Sequence, residues 1–304
     1  MNAFLFPGQG SQYSGMGKDL AENFLVAKHV FQEANDSLGF DLAAMCFSGS
    51  EDELKLTANT QPAILTTSIA ALRVLEQETD LQPAFAAGHS LGEYSALVSV
   101  GALSLADAVK TVRQRGTFMQ EAVPVGFGAM AAIMGIDAPE LTLICEKAAE
   151  GEIVAPANFN SPGQIVIAGH ATAVERAMTL AKEAGAKRAL PLPVSAPFHS
   201  ALMEPAAKRL AEVLEGVTIG EFKCPVVGNV EAAPYLGPER VKPLLVEQVC
   251  AAVRWDESVL KMQELGVTNY IEIGPGKVLS GLVKRIAKGT TVQNIADIDS
   301  LKKL

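Results

Sequence analysis

Short apolar segments alternate along this chain with longer stretches whose apolar residues repeat at helical spacing. Alternation of this kind predicts an α/β fold with a mainly parallel sheet. Four segments are the clearest candidates for its strands: Ala3–Phe6, Ala84–Ala87, Pro225–Gly228 and Tyr270–Ile273.

One helix is predicted in detail, from Ser104 to Ala122. Ser104 and Asp107 have the spacing of a capping box, which satisfies free N–H groups at a helix start. Five apolar residues then fall on one helical face. They are Leu105, Ala108, Val109, Val112 and Met119.

The middle of the chain has a different pattern, in which the predicted order is β-α-β-β-α-β. That order is typical of a ferredoxin-like unit. The predicted elements are strand Ala129–Met134, helix Ala138–Ala149, strands Ile153–Phe159 and Gln164–Ala168, helix Ala171–Ala184 and strand Lys187–Val194. Turn-rich segments, Pro124–Gly128 and Ser195–Pro197, bracket it. We therefore predict a small domain, 125–196, inserted into a larger domain formed by 1–124 and 197–304, with a ligand cleft between them.

Composition and charge exclude several classes of protein. The 304 residues carry a net charge of −9 and no basic tract, which argues against a nucleic-acid partner. No apolar run approaches the length of a membrane span, and the N-terminus lacks the basic start of a signal peptide. Four widely separated cysteines, without metal-ligand spacing, predict reduced thiols, no metal site and a cytoplasmic location.

The segment Gly88-His-Ser-Leu-Gly92 suggests chemistry at Ser90. It has the pattern Gly-x-Ser-x-Gly between an apolar run and a helix-compatible segment, the setting of a nucleophile elbow. Such an elbow exposes the serine hydroxyl on a sharp turn and directs helix N–H groups at the reacting carbonyl. The pentapeptide alone also fits a glycine-rich turn with an incidental serine.

A serine nucleophile needs a base and an oxyanion hole. His199 is the candidate base, because its loop, 194–200, returns from the small domain to the large one and can face Ser90 across the cleft. Leu91 N–H is the natural first oxyanion donor. A second donor can come from the glycine-rich loop 6–12, after the first strand. The other three histidines are assigned to packing, capping or the surface: His29, His89 and His170.

Six motifs together resemble the bacterial malonyl-CoA:acyl-carrier-protein transacylase family. They are Pro7-Gly-Gln-Gly-Ser-Gln12, Gly88-His-Ser-Leu-Gly-Glu93, Arg113-Gln-Arg-Gly116, Asn158-Phe-Asn-Ser-Pro-Gly163, Pro197-Phe-His199 and Gln248-Val-Cys250. The resemblance runs from Phe4 to Arg285. It implies a hydrolase-like α/β domain with a ferredoxin-like insertion.

The resemblance also implies catalytic roles. Ser90 would carry the acyl group, and His199 would act as base and then as acid. The backbone carbonyl of Gln248 would orient His199, so that the pair works as a Ser-His dyad without an acidic third member. The backbone N–H groups of Gln9 and Leu91 would form the oxyanion hole.

Three further residues are implied in substrate binding. Arg115 would hold the free carboxylate of a malonyl group, and a planar guanidinium suits that task because it binds carboxylates through two parallel hydrogen bonds. Helical phase alone gives Arg115 only a slight preference over Arg113, so the resemblance makes the choice. Asn160 would contact substrate, and Phe198 would favour malonyl over branched groups because its ring crowds an α-methyl.

The implied activity is ping-pong transfer of malonyl from malonyl-CoA to the phosphopantetheine thiol of acyl carrier protein, supplying fatty acid or polyketide synthesis. It requires no bound cofactor. Malonyl-CoA, CoA and holo acyl carrier protein are the expected partners, and a monomer is the expected state.

Two other functions remain open from the sequence. A serine hydrolase shares the elbow, although it normally has the order Ser, acid, His. Rapid release of free malonate would favour it. A non-catalytic carrier-binding module is the second alternative, which unchanged function in Ser90→Ala would favour.

Overall fold

The computed structural model describes residues 1–194 and 196–304 of the chain. Its strands are β1 (Asn2–Phe6), β2 (Phe85–Gly88), β3 (Gly128–Met134), β4 (Val154–Ser161), β5 (Gln164–His170), β6 (Arg188–Pro191), β7 (Val226–Val227), β8 (Val253–Arg254), β9 (Asn269–Ile273) and β10 (Thr291–Ile295). The first seven helices are α1 (Lys18–Asn23), α2 (Leu25–Leu38), α3 (Leu42–Ser48), α4 (Glu51–Lys55), α5 (Thr57–Glu78), α6 (Gly92–Ser99) and α7 (Leu105–Glu121). The others are α8 (Ala138–Ala149), α9 (Ala171–Glu183), α10 (Glu204–Glu215), α11 (Val241–Glu247), α12 (Trp255–Glu264), α13 (Val278–Ile286) and α14 (Ile298–Leu301).

The first sheet is parallel and confirms the α/β prediction. Its order is β10-β9-β1-β2-β7, and each neighbouring pair runs parallel. Alternate residues of β1 enter different cores: Phe4 and Phe6 join the larger cluster, whereas Ala3 and Leu5 join a second one. Burial on both faces explains why the strand is continuously apolar.

Register within this sheet places two loops side by side. Phe6 lies opposite Gly88 in the parallel pair β1–β2, so both strands end at the same edge. The glycine-rich loop after β1 therefore meets the turn after β2. Ligand sites of open α/β sheets form at this edge.

The four predicted strands of this sheet are present with shifted ends. The largest difference concerns Pro225–Gly228, of which only Val226–Val227 is strand. β10 was not predicted. It is an edge strand whose residues are mostly only partly buried, so it lacks the apolar run that marks the inner strands.

The second sheet confirms the ferredoxin-like order. β3, α8, β4, β5, α9 and β6 follow one another, and the sheet order is β6-β3-β5-β4-β8 with antiparallel pairing among the first four. Helices α8 and α9 pack on it around a separate apolar cluster. The fifth strand, β8, comes from the C-terminal half and pairs parallel with β4. Two residues carry no recognisable pattern, so the sequence did not reveal it.

Helix α7 begins as predicted: Ser104 Oγ accepts a hydrogen bond from Asp107 N at 3.0 Å. The predicted turn 195–197 is only partly observable, because Ser195 lies outside the described residues. None of the helices in the described ranges combines the length and the apolar character needed to cross a membrane.

Candidate active site

The turn after β2 is a strained elbow centred on Ser90. Ser90 has φ +52°, in the left-handed region that side chains other than glycine rarely adopt. The glycines on either side of Ser90 have no room for a side chain, because a Cβ on Gly88 would lie 2.0 Å from Gly92 C and O. A Cβ on Gly92 would lie 2.1 Å from Phe6 O. The fold therefore accepts only glycine at these two positions and presents Ser90 at the start of α6.

His199 faces Ser90 across the cleft. Ser90 Oγ and His199 Nε2 are 2.8 Å apart, although the residues are 109 positions apart in sequence. On the other side of the ring, His199 Nδ1 lies 2.8 Å from the backbone oxygen of Gln248. A carbonyl oxygen only accepts, so Nδ1 carries the proton and Nε2 is free to accept from Ser90. His199 also has a positive φ, +57°, so both members of the pair sit on strained backbone, which is common at functional sites.

Burial keeps His199 neutral. It lowers the pKa of His199 from 6.5 to about 3, and the nearby Arg115 charge adds to that effect. The hydrogen bond from Nδ1 to Gln248 O acts in the opposite direction, because it stabilises the protonated ring. At neutral pH the imidazole is thus in the form that can remove a proton from Ser90.

Arg115 is a buried cation beside the nucleophile. It lies on α7, is 2% exposed, and places Nη2 3.2 Å from Ser90 Oγ. Two glutamine oxygens hold the guanidinium: Gln61 Oε1 at 2.7 Å from Nη1 and Gln248 Oε1 at 2.8 Å from Nη2. Gly116 lets α7 approach α5 closely, since a Cβ there would lie 2.5 Å from Thr57 O.

Gln9 and Leu91 lie next to the nucleophile, as the oxyanion prediction requires. The loop after β1 packs directly on the elbow: a Cβ on Gly8 would lie 2.4 Å from His89 O. Leu91 precedes the first residue of α6, where helix N–H groups lack intrahelical partners. Both residues line the same cavity as Ser90.

A cavity of about 120 Å³ joins these groups. The residues lining it are Gln9, Gln61, His89, Ser90, Leu91, Arg115, Met119, Met130, Asn158, Leu192, Val194, Phe198 and His199. Beyond Ser90, His199 and Arg115 the cavity walls are largely apolar, and Phe198 contributes an aromatic ring. The space suits a short acyl group whose far end carries an anion.

Asn160 is placed differently from the other predicted site residues. Its Oδ1 lies 2.8 Å from His89 Nε2, and this contact joins β4 to the elbow. Of the described residues that line the cavity, the asparagine on β4 is Asn158. The remaining histidines lie away from the cavity: His29 is exposed on α2, and His170 packs against Phe127.

Three residues of this region were not singled out from the sequence. Gln61 holds Arg115, as described above. Asn229 is fully buried and fixes the elbow: Oδ1 accepts from Ser90 N at 2.6 Å, and Nδ2 donates to Gly88 O at 2.7 Å. Glu93 lies in the first turn of α6 and accepts from Asn229 N at 3.0 Å. Glu93 stands in a quoted motif, whereas Gln61 and Asn229 lack any local signal.

We expect Asn229→Ala to lower kcat about 10- to 100-fold. Without the side chain, the partly buried Ser90 N–H and the buried Gly88 O each lose a hydrogen bond, and the strained elbow can relax. The same loss should lower the free energy of unfolding by about 1–3 kcal/mol. Acyl-enzyme formation and chemical denaturation measure the two effects. Asn294→Ala is the control, because it removes a hydrogen bond from the side chain of Asn294, on β10, to Gly276 O. An unchanged kcat in Asn229→Ala would show that the elbow keeps its shape without the two hydrogen bonds of the Asn229 side chain.

Comparison with known proteins decides the family. A family model described as an acyl transferase domain matches residues 3–303. The chain is 54% identical over 301 residues to the malonyl CoA-acyl carrier protein transacylase of Bacillus subtilis (strain 168), which covers 99% of this chain and 95% of that protein. This chain belongs to the malonyl CoA-acyl carrier protein transacylase family. The resemblance seen in the six motifs is thereby confirmed.

Solved structures of transacylases have the same fold. An acyl carrier protein S-malonyltransferase from Vibrio cholerae O1 matches with a TM-score of 0.97 and 50% identity, covering 99% of each chain. A malonyl-transacylase in complex with its type II PKS acyl-carrier protein matches with a TM-score of 0.97 and 50% identity, covering 99% of this chain and 98% of that one.

Proposed function

We propose that this protein transfers the malonyl group of malonyl-CoA to the phosphopantetheine thiol of acyl carrier protein through an ester on Ser90. One observation carries the proposal: a nucleophile, a neutral base and a buried guanidinium meet in one small cavity, with Ser90 Oγ 2.8 Å from His199 Nε2 and 3.2 Å from Arg115 Nη2. A malonyl thioester has an electrophilic carbonyl at one end and a carboxylate at the other, which matches this arrangement.

In the first half-reaction Ser90 Oγ attacks the thioester carbonyl while its proton passes to His199 Nε2. The hydrogen bond from Nδ1 to Gln248 O stabilises the imidazolium that forms. Backbone N–H groups of Leu91 and Gln9 stabilise the oxyanion of the tetrahedral intermediate. The carbon–sulfur bond then breaks, and His199 returns the proton to the departing CoA sulfur.

In the second half-reaction the carrier thiol takes the place of CoA. His199 removes its proton, the sulfur attacks the ester carbonyl, and the Ser90–acyl bond breaks. Ser90 Oγ recovers its proton from His199, so the enzyme is unchanged and no external acid or base is consumed. Arg115 holds the carboxylate throughout, which keeps the acyl group in place while the thiols exchange.

The other predicted residues complete the proposal. Phe198 limits the cavity beside the acyl carbon, and one methyl group excluded by such a wall is worth about 1–3 kcal/mol. Asn160 acts on substrate through His89, whose ring it holds at the cavity wall. The two units 1–124 with 197–304 and 125–196 are the proposed domains, joined by the β4–β8 pair.

The biological setting follows from the reaction. The substrates are malonyl-CoA and holo acyl carrier protein, and the product supplies fatty acid or polyketide synthesis. Ser90, His199 and the backbone donors provide all the chemistry, so the proposed mechanism uses no bound cofactor. A monomer contains every residue invoked. A cytoplasmic location accords with the four cysteines, all described and all free thiols.

Incubation with malonyl-CoA labelled in the malonyl group tests the function. We expect label on Ser90 after mixing with malonyl-CoA alone, and its transfer to holo acyl carrier protein on addition of the carrier. Peptide mapping locates the label. Absence of label on Ser90 would overturn the mechanism, and rapid release of free malonate without carrier would favour a hydrolase.

We expect Arg115→Lys to lower kcat/KM for malonyl-CoA about 10- to 100-fold. Lysine keeps the charge but offers no planar pair of donors to the carboxylate, and a hydrogen bond to a charged group contributes about 1.5–3 kcal/mol. Arg113→Lys is the matched control, because Arg113 lies two positions earlier on α7 and binds Ala58 O instead of facing the cavity. Equal effects of the two substitutions would remove Arg115 from the carboxylate site.

A further inference from the structure

Glu93 is a buried carboxylate that the mechanism above does not use. It lies in the first turn of α6, is 1% exposed, and is not among the described residues that line the cavity. Three donors surround it: Asn229 N at 3.0 Å and Gln248 Nε2 at 2.8 Å reach Oε2, and the Tyr235 hydroxyl reaches Oε1.

The donors around Glu93 can stabilise an ionised carboxylate. An ionised carboxylate only accepts, and every neighbour named above has a hydrogen to donate. Burial raises the pKa of Glu93 above its ordinary value, whereas the hydrogen bonds from Tyr235, Gln248 and Asn229 and the charge of Arg115 lower it. Arg115 is the cation whose charge acts on Glu93, and Gln248 bonds to both residues.

Gln248 connects the two charges through its side-chain amide. Its Nε2 donates both to Glu93 Oε2 at 2.8 Å and to Ser90 O at 3.0 Å. With both N–H groups committed, Oε1 points to Arg115 Nη2, 2.8 Å away. A flipped amide would place its N–H groups against the guanidinium N–H and its oxygen against a carboxylate. Glu93 therefore favours the observed orientation of the amide, in the same sense as Arg115 and Ser90 O.

We propose that Glu93 is a positioning residue that sets malonyl selectivity: through the Gln248 amide it fixes Arg115 in the orientation that receives the substrate carboxylate. The inference rests on the proposed function, since it concerns the carboxylate of the malonyl group. It assigns to Glu93 no contact with substrate.

The proposal separates two substrates. Malonyl-CoA needs Arg115, whereas acetyl-CoA has no carboxylate for Arg115 to hold. Ser90, His199 and the oxyanion donors serve both. Loss of Glu93 should therefore slow malonylation of Ser90 much more than acetylation, whereas general damage to the fold would slow both equally. The ratio of the two rates is the informative readout.

Two variants and one control make the comparison. Glu93→Gln keeps the shape but removes the charge and replaces one accepting oxygen with an N–H donor. Tyr235→Phe keeps the ring and removes one donor to Glu93. Glu272→Gln is the matched control, because Glu272 is also fully buried but accepts from Leu279 N and Ser280 N at the start of α13, away from Gln248 and Arg115.

Single-turnover labelling of Ser90 with malonyl-CoA and with acetyl-CoA, in the absence of carrier, gives the two rates. We expect Glu93→Gln to lower the malonyl-to-acetyl ratio about 10- to 100-fold and Tyr235→Phe to lower it about 3- to 10-fold. Glu272→Gln should leave the ratio within about twofold of the wild type.

The outcomes distinguish the inference from the proposed function. Wild-type protein that takes no malonyl label would overturn the proposed function and the inference with it. Wild-type labelling with an unchanged ratio in Glu93→Gln would overturn the inference alone. If Glu93→Gln does not fold, Tyr235→Phe decides, and an unchanged ratio there also rejects the role of Glu93.

Discussion

Ser90→Ala is expected to abolish the acyl-enzyme and to lower malonyl transfer by about 10⁴-fold or more. Removal of one member of a nucleophile–base pair leaves only the catalysis that binding and the oxyanion hole provide. In the proposed mechanism Ser90 Oγ forms the bond to the malonyl carbon, so no other group carries the ester. The measurement is label retained on the protein after mixing with labelled malonyl-CoA, together with the steady-state rate of carrier malonylation.

Ser99→Ala is the control for this substitution. Ser99 is the last residue of α6, the helix that follows Ser90, and its hydroxyl donates to Ala96 O at 2.7 Å. We expect its labelling to match the wild type. Full carrier malonylation by Ser90→Ala would contradict covalent catalysis, and unchanged biological function without any catalysis would favour a carrier-binding module.

His199→Ala is expected to lower kcat/KM for malonyl-CoA by about 10³- to 10⁴-fold. Ser90 then has no acceptor for its proton and the leaving sulfur has no donor, so both half-reactions slow. Rates of Ser90 labelling and of carrier malonylation should fall together. His29→Ala, an exposed histidine on α2, is the control. If only one half-reaction slows, His199 transfers protons for only one of the two thiols, that of CoA or that of the carrier.

The pH dependence offers a second measurement on His199. Its pKa in the folded protein is about 3, against an ordinary value of 6.5, so the free enzyme should keep a neutral base well below pH 6.5. The unfolded chain takes up this proton between pH 6.5 and 3 while the folded one does not. The contribution of His199 to the free energy of unfolding is therefore complete above pH 6.5 and is lost as the pH falls towards 3. His199→Ala should lose less stability over that range, as chemical denaturation at several pH values will show.

The strands and helices that sequence patterns predicted are present, because their signals are local. Helix α8 was predicted as Ala138–Ala149 and has those ends, since Asp137 caps it and Pro139 fits its first turn. β10 and β8 were missed for opposite reasons. β10 lies at an edge and is only partly buried, whereas β8 is too short to show any period and exists only because β4 offers a partner.

The nucleophile was predictable for a similar reason. The turn has no room for a Cβ at Gly88 or Gly92, and Ser90 between them has a positive φ. The pentapeptide therefore predicts the turn without information from the rest of the chain. Asn229 and Gln61 could not be found in this way. Each is an ordinary amide at a position without local pattern, and each acquires its role from the atoms that the fold places beside it.

By itself, the sequence determined the α/β class, the inserted β-α-β-β-α-β unit, the elbow at Ser90 and, through its motifs, the family. All of these depend on residues that are close in sequence or on motifs in a fixed order. Only the tertiary structure decided that Oγ of Ser90 lies within hydrogen-bond distance of both His199 and Arg115, and that the Gln248 side chain bonds to both Glu93 and Arg115. Those contacts join residues up to 155 positions apart in sequence, and their distances depend on packing that no local pattern encodes.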